Sequence, residues 1–465
     1  MSERTHNRTS RREFLKSAGC LAAGSVLAAG LTPRLYAGEN NTIQVALIGC
    51  GWRGNGAADN ALNTRGGPVK LVAMADIFED KIKESYQELQ KLRADQMDVP
   101  EDRRFLGFDG YKKAMDCLKP GDVAILATPP AFRWVHFQYA IGKGLHVFME
   151  KPVSVDGPTT RRMFQLAEEA DRKNLKVGVG LMIRHCRGRQ ELFKRIQDGE
   201  IGEILMMRGY RMCGRTAAVG PKNPEADELM WQVRHFHSWI WASGGVYSDS
   251  YIHQIDEMSW MKGAWPISAH ALGGRQVRGE AVDQNFDNYS VEYTYPDGAR
   301  LFYQGRSMAG CKNEFASYVH GTKGSAVVST SGHTPGKVRT YRTHLMEGAE
   351  PIWRYTWEHA KGPGQEESPY EIEWNDLMDA IRNDKPYSEV KRGAIASLIA
   401  SMGRMAAHTG NPVTYEQILN CPHEMAPDVN RFVEGYPAPV RPNAQGQYPQ
   451  PQPGVLIDRE YKEFA

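Results

Sequence analysis

The stretch Ile43-Gln-Val-Ala-Leu-Ile-Gly49-Cys-Gly51-Trp52-Arg53-Gly54 decides how the rest of the chain is read. Val45, Leu47 and Ile48 form an apolar run of strand length. It ends directly in Gly49-x-Gly51-x-x-Gly54, and a helical stretch follows from Ala57 to Asn63. Strand, glycine turn and helix in that order form a cradle for a dinucleotide pyrophosphate. The first glycine allows the tight turn, the second lets backbone approach the phosphates, and the third lets helix pack on strand. The helix start then offers unpaired N–H groups and the positive end of its dipole to the anion. A glycine pattern alone is weak, and an ordinary strand–helix turn would also fit it. Here a second apolar strand, Val69 to Ala75, follows and ends in Asp76. A carboxylate at that point accepts from a ribose hydroxyl and repels a 2′-phosphate, so the expected cofactor is NAD rather than NADP.

At 465 residues, two domains are the default, and 41% hydrophobic with 24% charged residues is the balance of a globular protein. A formal net charge of +2 argues against a nucleic-acid partner. Residues 1–37 read as an export signal: Arg4, Arg8, Arg11, Arg12 and Lys16 precede an apolar stretch from Ala18 to Leu31, and Leu35-Tyr36-Ala37 ends in a small residue. The core Ser10-Arg11-Arg12-Glu13-Phe14-Leu15-Lys16 resembles the twin-arginine signal, which implies export of a folded protein to the periplasm. The apolar stretch is too short and too rich in Gly and Ala for a stable membrane anchor. Ser17-Ala18-Gly19-Cys20 lacks the aliphatic residue of a lipidation site. Without residues 1–37 the chain holds 51 basic and 53 acidic residues. The remaining cysteines, Cys50, Cys117, Cys186, Cys213, Cys311 and Cys421, are scattered, so neither a disulfide framework nor a metal site is expected.

From 40 to 184 strand-like and helix-like runs alternate, as in a doubly wound parallel sheet: an α/β Rossmann domain. From 185 to 435 aromatic, β-forming stretches dominate, with a hairpin turn at Pro296-Asp297-Gly298. This predicts an α+β domain with a large, mostly antiparallel open sheet. Residues 331–370 read as a long polar excursion. The segment 436–465 begins with six prolines between Tyr436 and Gly454 and reads as an extended arm lying on another surface, or as disordered.

Two places carry candidate chemistry. Thr128-Pro129 and Glu150-Lys151-Pro152 each follow a strand of the first domain, where a side chain reaches the cofactor crevice. There the Lys151 ammonium can hydrogen-bond a substrate hydroxyl, although a plain surface turn fits the same letters. Asp249 and His253 stand four residues apart, one helical turn on one face, with Asp256 three further on. A carboxylate beside an imidazole orients it and raises its basicity. A capping aspartate and a satisfied core histidine fit that spacing as well.

These pieces in this order resemble the Gfo/Idh/MocA oxidoreductases, the family of glucose–fructose oxidoreductase and inositol dehydrogenase. The resemblance rests on Gly49 to Gly54, Asp76, Thr128-Pro129, Glu150-Lys151-Pro152, Arg184-His185, Gly199-Glu-Ile201-Gly202, Gly244-Gly245-x-x-x-Asp249-x-x-x-His253-x-x-Asp256, Gly321-Thr322-Lys323-Gly324 and Thr409-Gly410. It implies that Lys151, Asp249 and His253 are catalytic, that the substrate is a sugar, polyol or sugar derivative, and that the open sheet builds a homo-oligomer, a dimer or tetramer. Export further suggests a tightly held NAD. A redox-neutral, NAD-dependent glycosidase or lyase resembling the N-acetylgalactosaminidases is the alternative. A non-catalytic sugar or nucleotide sensor ranks last, because such relatives usually lose the lysine. The stretches 213–238 and 331–370 depart from the family pattern and are expected to shape the substrate site. Trp231, Arg234, His235 and His237 are candidates there, with Trp353, Tyr355 and Trp357 behind them, and the resemblance adds Arg184 and His185 as substrate-binding. His235-x-His237 places no third metal ligand.

Overall fold

β1 (Ile43–Ile48) sits at the middle of a six-stranded parallel sheet because its side chains are apolar on both faces. The computed structural model describes residues 41–334, 336–356 and 368–464. The predicted export signal and Trp357 lie outside the described residues. The sheet order is β3 (Arg104–Leu106), β2 (Val69–Asp76), β1, β4 (Val123–Leu126), β5 (His146–Met149) and β6 (Val177–Val179). Every neighbouring pair is parallel. Its crossovers include α1 (Trp52–Leu62), α2 (Glu79–Arg93), α3 (Gly110–Asp116), α4 (Arg133–Gly142) and α5 (Gly157–Arg172). The order reverses between β1 and β4, which opens a crevice at the strands' carboxyl ends. The expected Rossmann sheet is therefore present. Among its strands and α-helices only β3 and α3 go beyond the expected elements, both being short.

After α6 (Arg187–Gln197) the chain enters a nine-stranded sheet, in the order β14 (Trp353–Arg354), β13 (Arg339–Tyr341), β12 (Ser325–Thr330), β11 (Glu314–Gly321), β7 (Ile204–Cys213), β10 (Arg300–Ser307), β9 (Asn288–Thr294), β8 (Ser268–Gly274) and β15 (Val413–Thr414). Only β7 and β10 pair in parallel. The turn at Pro296-Asp297-Gly298 joins β9 to β10 as predicted. On the connection from β7, α9 (Gly245–Lys262) covers one face, while α7 (Glu228–Arg234) and α8 (Ile240–Ser243) cluster with Ala131 and Phe132 of the first domain. The other face leaves Leu205, Leu272 and Phe302 exposed.

The chain then returns to its first sheet. α10 (Pro369–Arg382) lays Trp374 on Phe148, with ring centroids 4.4 Å apart, and buries Leu377, Met378 and Ile381 in one apolar cluster with Val45, Leu47 and Ile125. A division at residue 184 thus leaves out a helix that completes the first sheet. α11 (Val390–Thr409) is apolar or small nearly all round and is buried along its length against α5, α9 and β8. α12 (Tyr415–Asn420) starts from a capping box at Thr414 and Gln417.

The proline-rich arm closes onto this same chain. Tyr448 packs on Trp231 and Trp239, with centroids 6.0 and 4.7 Å apart, and donates to Glu228 at 2.7 Å. Further along, Glu460 is buried against Arg404 of α11, which donates to it at 2.8 and 2.9 Å. His408 Nδ1 meets the same carboxylate at 2.6 Å, while its Nε2 lies 3.0 Å from the Tyr289 hydroxyl. Arg404 also donates to Val155 O at 2.8 Å, Gly244 O at 3.0 Å and Ser248 Oγ at 2.8 Å. Burial opposes ionisation of Glu460, but the Arg404 charge wins and holds its pKa at about 2. A Glu460→Gln variant leaves Arg404 buried without its counter-charge. It is expected to lose about 3–5 kcal/mol in urea unfolding at pH 7. Because the carboxylate's pKa is depressed by folding, that stability is present above pH 4.5, the ordinary glutamate value, and is lost as the pH falls towards 2. The gap between wild type and variant should therefore shrink in acid.

Candidate active site

The glycine turn is shaped by contact. Gly49 has φ +96°, and a Cβ built there would lie 2.6 Å from the Ala127 carbonyl carbon. A Cβ on Gly54 would lie 2.0 Å from Gly49 O, so α1 could not approach β1 as it does. At Gly51 nothing stands within 4 Å, so this backbone is open on one side. Beside it lies a cavity of about 420 Å³ lined by Gly49, Gly51, Trp52, Asp76, Thr128 and Phe132, among others. Asp76 ends β2, and its carboxylate accepts from Cys50 N at 2.7 Å and Phe78 N at 3.0 Å. Pro129 lines the same wall. Thr128 Oγ1 meets His136 Nδ1 at 3.1 Å, and burial with the nearby Arg133 charge pushes this histidine down to about 3, so it is neutral. The open glycine backbone, the helix start behind it and the carboxylate at the end of β2 fit a dinucleotide.

A second cavity, of about 520 Å³, adjoins the first and shares Trp52, Arg53, Ala127, Thr128, Phe236 and His237 with it. Lys151 reaches it from the end of β5, and the Lys151–Pro152 bond is cis. Its ammonium donates to Asp249 O at 2.6 Å and stands 3.6 Å from Asp249 Oδ1. Glu150 beside it accepts from Arg53 at 2.6 Å. Arg53 also stacks on Tyr370, 4.7 Å from the ring centroid.

Asp249 and His253 both line this cavity from α9, one turn apart. Gly244 and Gly245, both at positive φ, make the corner that starts the helix. The expectation that Asp249 orients His253 is replaced by a different pairing. Asp249 faces Lys151 and, at 3.3 Å, His237 Nε2. Burial opposes its ionisation, yet those two partners hold it well below the usual carboxylate range. His253 is buried with Nδ1 unpartnered, its ring 4.6 Å from that of His333. Burial and the neighbouring positive groups push its pKa well down, so the imidazole is neutral.

The other candidates part company. Arg234 lines the first cavity, paired with Asp80 at 2.9 Å and lying over Phe78. Four do not line either cavity. Arg184 binds Asp256 at 2.7 and 2.9 Å, which also removes Asp256 from His253. His185 lies between Asp376, at 2.7 Å, and Glu389, at 3.1 Å. Trp231 packs under the C-terminal arm, and His235 Nδ1 meets Trp231 O at 2.9 Å. Trp353 stacks with Arg195 at the sheet edge, with Tyr355 beside it. Arg211, Thr216, His333 and Tyr370 complete the second cavity without having been singled out. Three of them lie in stretches flagged as unusual, and Arg211 stands two residues before one. The signal for Arg211 was a charge at an inward position of a strand, among Met207, Gly209 and Cys213.

Residues 43–181 match the family described as "Oxidoreductase family, NAD-binding Rossmann fold", and residues 190–327 match "GFO/IDH/MocA C-terminal domain". Inositol 2-dehydrogenase of Corynebacterium glutamicum is 26% identical over 147 residues, 32% of this chain and 37% of that protein. Inositol 2-dehydrogenase/D-chiro-inositol 3-dehydrogenase of Halalkalibacterium halodurans is 29% identical over 220 residues, 47% and 53% respectively. The chain thus spans between about a third and about half the length of these curated relatives. Among solved structures, aldose–aldose oxidoreductase from Caulobacter crescentus, complexed with glycerol, superposes with a TM-score of 0.60 at 15% identity, over 80% of this chain and 99% of that one. Levoglucosan dehydrogenase in complex with NADH and levoglucosan gives 0.60 at 19%, with the same coverage. At these identities the likeness is one of fold.

His185 supplies a test of the surrounding charges. Burial lowers its pKa, but bonds to Asp376 and Glu389 outweigh this and raise it to about 9. A pKa raised by folding contributes stability that is complete below pH 6.5, the ordinary histidine value, and fades as the pH rises through about 9. His185→Gln should cost about 1–3 kcal/mol in urea unfolding at pH 6, and the difference from wild type should narrow by pH 10.

Proposed function

The chain belongs to the Gfo/Idh/MocA oxidoreductases, and we propose that it transfers hydride between NAD and a sugar, polyol or sugar derivative. The observation that carries this reading is the shared wall of the two cavities: the lysine, aspartate and histidine cluster stands directly beyond the glycine turn. When bound, the dinucleotide supplies the hydride acceptor. The chain's own residues bind the substrate and move its proton. His253, neutral before the reaction, is placed to take the hydroxyl proton, and the Lys151 ammonium, held by Asp249, donates a hydrogen bond to the substrate oxygen. Arg53 and Glu150 fix the floor between cofactor and substrate. Asp76 favours NAD over NADP because its charge repels a 2′-phosphate.

The same reading includes a tightly held cofactor, since residues 1–37 imply export by the twin-arginine route to the periplasm, where free NAD is scarce. Among the described residues no helix is long and apolar enough to cross a membrane. The exposed Leu205, Leu272 and Phe302 on the open sheet support a homo-oligomer built through that face.

The test is to denature protein purified after export and identify what it releases. Near-stoichiometric NAD is expected, and protein that is empty and binds added NAD only weakly counts against a resident cofactor. With a polyol panel followed at the nicotinamide absorbance, Lys151→Ala should lower kcat by about 10²–10⁴. Unchanged activity in that variant removes Lys151 from the reaction. Aglycone release from nitrophenyl glycosides without net NADH would move the reading to the redox-neutral glycosidase.

A further inference from the structure

Among the described residues, one cation of the second cavity, Arg211, has neither an acidic partner nor a hydrogen bond. The lining of this cavity includes four cations, Arg53, Arg133, Lys151 and Arg211, against two carboxylates, Glu150 and Asp249. Both carboxylates are engaged, Glu150 by Arg53 and Asp249 by Lys151. Arg133 is buried and donates to two backbone carbonyls, Leu126 O at 2.6 Å and Thr128 O at 2.7 Å. Arg211 is held differently. On β7 it lies between Gly305 of β10 and Phe315 of β11, and its guanidinium carbon stands 4.5 Å from the Phe315 ring centroid. That contact provides no carboxylate or carbonyl acceptor for its donors. Among the described residues the guanidinium has no hydrogen bond and no carboxylate within ion-pair distance.

Its neighbours point the same way. His333 packs edge-on to Phe315 at 4.6 Å and against His253 at 4.6 Å, and both histidines have a buried, unpartnered Nδ1. Burial and the Arg211 charge together keep His333 neutral. The group at this end of the cavity is therefore a positive fork set against the Phe315 ring. An anion can reach it with no competing acid to displace. A neutral sugar would leave the fork without a counter-charge in a half-enclosed site, which is costly. A carboxylate matches the fork with two parallel hydrogen bonds. A phosphate monoester carries nearly two charges and three acceptor oxygens, more than one free guanidinium balances.

We propose that the substrate is a sugar acid, a uronate or aldonate, whose carboxylate binds Arg211 while its reacting hydroxyl faces Lys151 and His253. This rests on the oxidoreductase reading for the reaction but not for the binding. Arg211 sets specificity and takes no part in proton transfer.

The experiment compares matched pairs on the NAD-loaded, full-length protein. D-glucuronate, D-galacturonate and D-gluconate are set against D-glucose and D-galactose, with D-glucose 6-phosphate as a third arm. Both kcat/KM and calorimetric binding in the presence of NADH are measured. At least one acid should exceed its neutral partner by roughly tenfold to a hundredfold, the range of a hydrogen-bonded charge pair. Arg211→Met should abolish that ratio chiefly through KM, and Arg211→Lys should retain part of it. NADH binding and thermal melting confirm that both variants are folded. No acid preferred over its neutral partner, or an unchanged ratio in Arg211→Met, overturns the proposal. Preference for the sugar phosphate overturns the assignment to a carboxylate. Arg211-dependent binding of an acid without hydride transfer would sink the oxidoreductase reading and leave the carboxylate site standing. Turnover of neutral polyols alone would do the reverse.

Discussion

The contact between Lys151 and Asp249 ties together the two sheets on which the rest of the molecule is built. Lys151 arrives from the end of a parallel strand, and Asp249 from the first turns of a helix packed on the antiparallel sheet. The ammonium donates to the Asp249 carbonyl at 2.6 Å. In an α-helix that carbonyl also receives the N–H four residues on, here that of His253. One cation thus bears on the backbone that carries Asp249 and His253 of α9. The position of the imidazole relative to the glycine turn follows from a bond at its own helix, not from the length of a loop.

Charge around this contact is matched in pairs, and Arg133 and Arg211 stand outside them without an acidic partner. Arg53 and Glu150 neutralise one another at the floor, Lys151 and Asp249 at the centre, and the buried histidines nearest the cleft are kept neutral by burial. Buried ions are tolerable only when paired and hydrogen-bonded. The same logic holds one layer away, where His185, Asp376, Glu389 and Arg392 form a group that never meets the cavity. Proximity in sequence to a functional lysine or histidine is therefore a poor guide to which charges meet a ligand.

The glycine turn, Asp76, Lys151 and the Asp249–His253 spacing were legible because each is fixed within a few residues of chain: a turn, a strand end, one helical turn. Arg184 and His185 were misleading because their partners lie 72 and 191 residues away, and nothing local announces them. The orientation of Asp249 was misread for the same reason: helical spacing put it over His253, but the charge of Lys151 from another domain takes it. Trp231 and His235 stood in a stretch rightly flagged as unusual, yet their rings serve the docking of Tyr448. The arm from Tyr436 could be seen to be extended, but not which surface it would cover. That depends on two tryptophans and an arginine that are far away in sequence.

The arrangement of Arg404 also orders the assembly in time. Its guanidinium grips Gly244 and Ser248, the corner from which α9 springs, and its counter-charge is Glu460, 56 positions later. A chain made from its N-terminus possesses the glycine turn, both sheets and the catalytic-face helix well before it possesses Glu460. Until that late segment docks, the arginine under the helix corner is an uncompensated ion, and the corner it should clamp is held only by its remaining contacts. The far end of the polypeptide is thus the keystone of a site to which it contributes no lining residue.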